Sequence, residues 1–97
     1  MVEISSGNPY SDALVDTGVF VRSFSEQLDD SEMIWHRDRN DRTIKVLEGS
    51  GWKFQYDNKL PFEIKEGDVF SVDAYEYHRL LKGNTKLVLQ IWENNNE

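Results

Sequence analysis

The chain has 97 residues, no cysteine, and 18 acidic against 11 basic side chains, which gives a formal net charge of −7. This length predicts one domain with one modest core, and the lack of cysteine excludes disulfides, thiolate nucleophiles and cysteine zinc sites. The negative charge disfavours nucleic acid and anionic membranes as partners, and the absence of a basic leader or a long apolar run predicts a cytoplasmic protein.

Short runs of aromatic and β-branched residues, interrupted by Gly, Asn and Asp, are typical of a small all-β sandwich or barrel. We expect an N-terminal arm at 1–16, one domain at 17–93 and a disordered tail at 94–97. Eight strands are predicted, near residues 18–24, 32–37, 42–48, 51–57, 60–65, 69–72, 76–82 and 85–92. Tight turns are predicted at 57–59 and 66–68, because Asp, Asn and Gly tolerate the backbone conformations that such turns need.

Alternation in the last predicted strand separates a core face from a second apolar face. Leu87 and Leu89 lie on the face assigned to the core, whereas Val88 and Trp92 lie on the other face. Together with Phe20 these outward residues predict an apolar surface that needs a cover. A homodimer through the first and last strands supplies that cover, and folding of residues 1–16 over Trp92 is the alternative.

The chain has two histidines, and each has a carboxylate two positions away. Asp38 follows His36, and Glu76 precedes His78, so on a strand each pair shares one face. Imidazole and carboxylate together bind divalent transition metals, and two histidines with one carboxylate form the facial triad of non-haem iron oxygenases. The alternative is that both histidines are hydrogen-bonded residues of the barrel wall.

The residues around both histidines resemble the cupin family, from about Asp30 to Trp92. The segment Trp35–Gly49 matches the length and the Val-Leu-Glu-Gly ending of the first cupin motif, G-x5-H-x-H-x3,4-E-x6-G. The segment Gly67–Lys82 follows the spacing of the second motif, G-x5-P-x-G-x2-H-x3-N. The resemblance implies a double-stranded β-helix, the cupin jelly-roll barrel, with about eight strands.

Carried over position by position, the resemblance implies metal ligands at His36, Asp38 and His78. Asp38 stands where the family has its second histidine, and Arg42 stands where it has its glutamate. Such a site would hold iron, nickel, zinc or manganese. An arginine cannot coordinate a cation, because its guanidinium stays protonated.

Arg42 leaves three arrangements open. It can pair with Asp38 and leave a poor metal site, grip an anionic ligand beside a three-residue metal site, or lie in a solvated cluster at the rim. Trp52 is assigned to the core or the pocket wall, and Glu76 shares the face of His78, so both join Arg42 as candidate substrate contacts.

The predicted function follows from the resemblance and from this donor set. It is the binding of a divalent transition metal and a small, anionic metabolite. The family that the chain resembles includes dioxygenases, isomerases and non-catalytic binding proteins, so the resemblance leaves the reaction type open between a dioxygenase- or isomerase-like enzyme and binding without catalysis. The alternative is a non-catalytic, metal-free cupin that serves as a binding or interaction module, with an Asp38–Arg42 ion pair in the pocket.

Overall fold

The computed structural model describes residues 10–27 and 34–94. This part of the chain is all-β, and no helix in it is long and apolar enough to span a membrane. The strands are β1 Tyr10–Asp16, β2 Val19–Phe24, β3 Asp41–Glu48, β4 Lys53–Tyr56, β5 Phe62–Glu63, β6 Val69–Val72, β7 His78–Leu81 and β8 Leu87–Asn94.

The strands form two antiparallel sheets. The larger sheet has the order β1-β2-β8-β3-β6, and the smaller one has the order β5-β4-β7. The all-β class and the cupin-type arrangement of strands are confirmed, although the described residues form two separate sheets and not one closed, continuously hydrogen-bonded barrel.

The core lies between the two sheets and contains apolar side chains from both. In β8 the burial alternates, because Leu87, Leu89 and Ile91 point inward and the residues between them are only half-buried. Trp52 and Ile64, which flank the strands of the smaller sheet, are also fully enclosed. The complete buried apolar set is Phe24, Ile44, Val46, Trp52, Phe54, Ile64, Val72, Leu80, Leu87, Leu89 and Ile91.

The strand register places Phe20 on the core side of the larger sheet, which differs from the sequence-based expectation. Phe20 lies directly opposite Ile91, and residues paired across a strand ladder share one face. It packs as a partly buried residue against the core. Val88 and Trp92 do lie on the outer face, as predicted from their alternation with Leu87, Leu89 and Ile91.

The strand β1 occupies part of the segment for which the sequence suggested an irregular arm. Residues 10–16 pair in plane with β2 as the edge of the larger sheet, so they do not lie over Trp92. The predicted strand at 32–37 is reduced to an isolated bridge at His36, and its first two residues lie outside the described part of the chain. The proposed division at residues 16 and 93 stays a prediction.

Both predicted turns are present: the first lies between β4 and β5, and the second lies between β5 and β6. Asn58 has a φ of 60° and Gly67 a φ of 92°, the left-handed conformations that asparagine and glycine accept most readily. In the second turn the backbone amide of Lys65 donates to the carboxylate of Asp68 over 2.8 Å.

Candidate metal centre

The two histidines of the chain lie next to each other on neighbouring segments. His36 and His78 form an isolated antiparallel bridge, with reciprocal backbone hydrogen bonds of 3.0 and 2.9 Å. Their ring centroids are 4.3 Å apart. Because His78 belongs to β7 and alternates with outward residues, its ring points into the core side and is 4% exposed, whereas His36 is at the surface.

Asp38 completes a group of three potential ligands. One donor atom from each of His36, Asp38 and His78 lies within 4.8 Å of the others, and this is the one such group in residues 10–27 and 34–94. Oδ2 of Asp38 is 3.3 Å from Nε2 of His78. The structure therefore brings together the three residues that the spacing and the resemblance selected.

The backbone fixes which nitrogen of each ring faces a ligand. Nδ1 of His78 lies 2.8 Å from the carbonyl oxygen of Glu76, and Nδ1 of His36 lies 3.3 Å from that of Ile34. A carbonyl only accepts hydrogen bonds, so Nδ1 carries the proton in both rings and a neutral ring offers the lone pair of Nε2. This orientation by a backbone carbonyl is typical of metal-binding histidines.

The neighbours of the Asp38 carboxylate leave its hydrogen-bonding capacity unsatisfied, and a metal ion would satisfy it. Its Oδ2 is buried and forms no well-aligned hydrogen bond within the described residues. With a proton on Nδ1 of His78, two acceptor atoms, Nε2 and Oδ2, face each other and need a cation between them. One proton satisfies that pair alone, whereas a dication also engages His36, so the residues present fit a metal ion.

Arg42 lies beside the triad and is held by two carboxylates. Its Nε and Nη2 donate to Oε2 of Glu93 over 3.0 and 2.8 Å, and its Nη1 is 3.2 Å from Oδ2 of Asp38. Its Cζ is 5.6 Å from the centre of the Phe20 ring. Of the three arrangements left open by the sequence, the structure contains the pair with Asp38, together with a second pair that had not been anticipated.

Burial and neighbouring charges change the titration of two members of the group. The pKa of His36 is lowered from 6.5, first because packing partly removes the ring from water and then because His78 is close. Burial acts to raise the pKa of Asp38, but the neighbouring His78 ring and the Arg42 guanidinium outweigh it and bring that pKa below 3.8. At neutral pH the site therefore offers an ionised carboxylate.

The other two candidate substrate contacts are placed differently. Glu76 uses its side chain to accept a hydrogen bond from the amide of Asp73, and its contribution to the triad is the carbonyl that orients His78. Trp52 is 0% exposed and donates from its indole nitrogen to the carbonyl oxygen of Thr85. Glu76 is therefore not part of the group formed by His36, Asp38 and His78, and Trp52 belongs to the buried core.

Glu93 is the site neighbour that sequence reasoning missed, although a signal was available. It continues the inward series of Leu87, Leu89 and Ile91 at the end of β8, and a carboxylate in a core-facing position needs a partner. The register places it directly opposite Arg42. Alternation in β8 therefore marks Glu93 as inward, and the strand register of the structure identifies Arg42 as its partner.

Comparisons with known proteins show similarity of structure. No family model matches the chain, and a comparison with curated proteins finds no match. The cupin domain of Cnp3 from Schizosaccharomyces pombe superposes with a TM-score of 0.70 at 13% identity, over 90% of this chain and 60% of that one. A cupin-2 domain protein from Shewanella frigidimarina gives 0.64 at 10% identity, over 88% and 79%.

A third similar structure contains a metal and a small molecule. HppE, solved with Fe(II) and the alternative substrate (S)-1-HPP, gives a TM-score of 0.66 at 14% identity. The match covers 88% of this chain and 48% of that one, so the present chain spans about half its length. The strand arrangement, the paired histidines and these superpositions agree, and this protein has the cupin fold.

Proposed function

We propose that this protein binds one divalent transition metal ion through His36, Asp38 and His78 and presents it to a small, anionic molecule. The observation that carries the proposal is the convergence of three acceptors, the Nε2 atoms of two oriented imidazoles and the buried Oδ2 of Asp38. Iron, nickel, zinc and manganese all accept this donor set.

The charge of the loaded site supports an anionic ligand. A dication against the single charge of Asp38 leaves one positive charge, because Arg42 and Glu93 neutralise each other. Three protein ligands also leave coordination positions open for a second molecule. Arg42 is held by Glu93 and Asp38, so in this proposal the metal, and not the guanidinium, attracts the ligand.

The donor set favours a metal-dependent oxygenation of the bound molecule, because two histidines and one carboxylate are the ligands of non-haem iron oxygenases. A metal-assisted isomerisation would use the same open positions. The similarity to Fe(II)-containing HppE supports testing iron and oxygen chemistry first. In both reactions His36, Asp38 and His78 hold the ion, and the carbonyl of Glu76 keeps the His78 ring oriented.

Metal content tests the proposal directly. Protein purified without a histidine tag is reconstituted with Fe²⁺, Ni²⁺, Zn²⁺ and Mn²⁺ in turn, and elemental analysis is expected to give about one ion per chain for at least one metal. Asp38→Asn, His36→Ala and His78→Ala should abolish binding, whereas Asp57→Asn, which removes the same charge in an exposed turn, should not. Less than about a tenth of an equivalent with every metal would refute the proposal.

A second candidate function is favoured by one contact. Nη1 of Arg42 is only 3.2 Å from Oδ2 of Asp38, which is the ion pair expected of a metal-free binding or interaction module. That function predicts a folded protein that takes up none of the four metals. The reconstitution experiment therefore distinguishes the two candidates.

A further inference from the structure

Arg42 lies between a proposed metal ligand and a carboxylate that takes no part in the metal group. All three side chains are largely enclosed, with exposed fractions of 13% for Arg42, 14% for Asp38 and 29% for Glu93. Arg42 and Glu93 face each other across the β3–β8 pair, in the interior of the five-stranded sheet. Backbone hydrogen bonds on both strands therefore fix the separation of these two residues.

The guanidinium and a metal ion compete for the same oxygen. Oδ2 of Asp38 is 3.2 Å from Nη1 of Arg42 and 3.3 Å from Nε2 of His78. A guanidinium that paired fully with this carboxylate would occupy the ligand and place a permanent positive charge against the incoming cation. The contact at 3.2 Å lacks hydrogen-bond alignment, so in this structure the pairing is incomplete.

Glu93 accounts for that incomplete pairing. It accepts hydrogen bonds from two nitrogens of the guanidinium, whereas Asp38 faces only one. Cζ of Arg42 also lies over the Phe20 ring, 5.6 Å from its centre. The orientation of the guanidinium is therefore determined mainly by Glu93.

We propose that Glu93 is a positioning residue that sets the metal affinity of the site, because it neutralises Arg42 and keeps it from pairing fully with Asp38. This inference rests on the proposed metal-binding function and deepens it. Without Glu93 the guanidinium turns to Asp38, its only remaining carboxylate partner among the described residues, and metal must displace it. Removal of Arg42 eliminates the competitor and leaves Asp38 free for the ion.

A double-mutant cycle tests the inference with Zn²⁺ as the probe. The dissociation constant is measured by competition with a chromophoric chelator for the wild type, Glu93→Gln, Arg42→Met and the double variant. Glu93→Gln is expected to raise the constant about tenfold, the effect typical of residues that orient metal ligands. Arg42→Met should keep or tighten binding, and the double variant should match Arg42→Met, because Glu93 acts through Arg42.

Two further variants test whether the effect on zinc affinity depends on the position and the carboxylate of Glu93. Glu48→Gln removes an equal charge from an exposed pair with Lys86 on the same sheet and should leave zinc affinity unchanged. Glu93→Asp retains the carboxylate and should recover most of the affinity lost in Glu93→Gln. Thermal unfolding of each variant confirms that the comparison is made between folded proteins.

The results distinguish a failure of the proposed metal binding from a failure of the proposed role of Glu93. A wild type that binds no zinc or any other reconstituted metal overturns both. A wild type that binds zinc while Glu93→Gln binds it equally well overturns only the role of Glu93. A loss of affinity that persists in the Arg42→Met background also overturns it, because Glu93 would then act without Arg42.

Discussion

Oδ2 of Asp38 lies 3.3 Å from Nε2 of His78, and this contact joins the segment that leads into β3 to the strand β7 of the other sheet. Protonation of the site therefore acts on a contact between the two sheets. Folding stability should change with pH in ranges that the altered titration of His36 and Asp38 defines.

The metal-free protein should lose stability on acidification in two ranges. The folded pKa of His36 lies below 6.5, so the unfolded chain takes up a proton first and stability falls as pH decreases through 6.5. The folded pKa of Asp38 lies below 3.8, so a second loss follows as pH falls through that value. Melting temperatures measured between about pH 8 and 3 would show both losses.

A histidine variant assigns the first loss. In His36→Gln the decrease near pH 6.5 should become smaller, while the loss in strong acid persists. A melting temperature that is constant or rises as the pH is lowered from neutral would contradict the assignment.

Trp52→Phe should destabilise the fold and leave metal binding intact. The substitution removes the indole hydrogen bond to Thr85 and leaves a void in the core, with an expected cost of about 2–3 kcal/mol. Chemical denaturation measures that cost, and zinc titration tests the site. A variant of unchanged stability that fails to bind zinc would contradict a purely structural role for Trp52.

Gly83→Ala should destabilise the protein more than Gly67→Ala does. A Cβ at Gly83 would collide with the backbone nitrogen of Trp52 and the carbonyl oxygen of Ser50, neither of which can move freely. At Gly67, where φ is +92°, a Cβ meets nothing within 4 Å, so only the strained backbone costs energy, about 1–2 kcal/mol. Urea denaturation of both variants gives the order, and equal losses would contradict the close approach.

The apolar residues on the outer face of the larger sheet lead us to predict that the chain forms a homodimer. Val21 and Val88 lie on this face beside Trp92, and Val69, which pairs with Lys45 on the same face, is 60% exposed. Light scattering at micromolar concentration is expected to return about twice the chain mass, because large exposed apolar patches are uncommon on monomers.

A charged substitution on that face tests the dimer interface, and one at an exposed position elsewhere serves as the control. Val21→Lys should convert the dimer to a monomer, whereas Leu60→Lys, at a position that is 86% exposed outside the strands, should not. A wild-type chain that stays monomeric as its concentration is raised would exclude the dimer.

The core and most strands could be predicted from the sequence, because burial on two sheet faces imposes alternation. Leu87 and Leu89 follow that rule, and both were assigned correctly. The paired histidines were also predictable, since their neighbours fit the spacing of a known motif.

The edge strand and the partner of Arg42 were harder to predict. β1 is exposed at six of its seven positions, so it lacks the alternation that reveals a strand. The pair between Arg42 and Glu93 spans 51 positions along the chain and depends on strand order. Local sequence patterns contain no information on that order, and only the register of β3 against β8 reveals the contact.

The position of Asp38 and His78, one before β3 and the other in β7, has a consequence for local stability. A metal bound by Asp38 and His78 would close a loop of about 40 residues that contains β3 to β6, and a cross-link over a loop of this length restricts the unfolded chain strongly. The ion would act as a reversible cross-link between the two sheets. Amide hydrogens of β7 should therefore exchange with solvent more slowly in the loaded protein, and a chelator should restore the faster exchange.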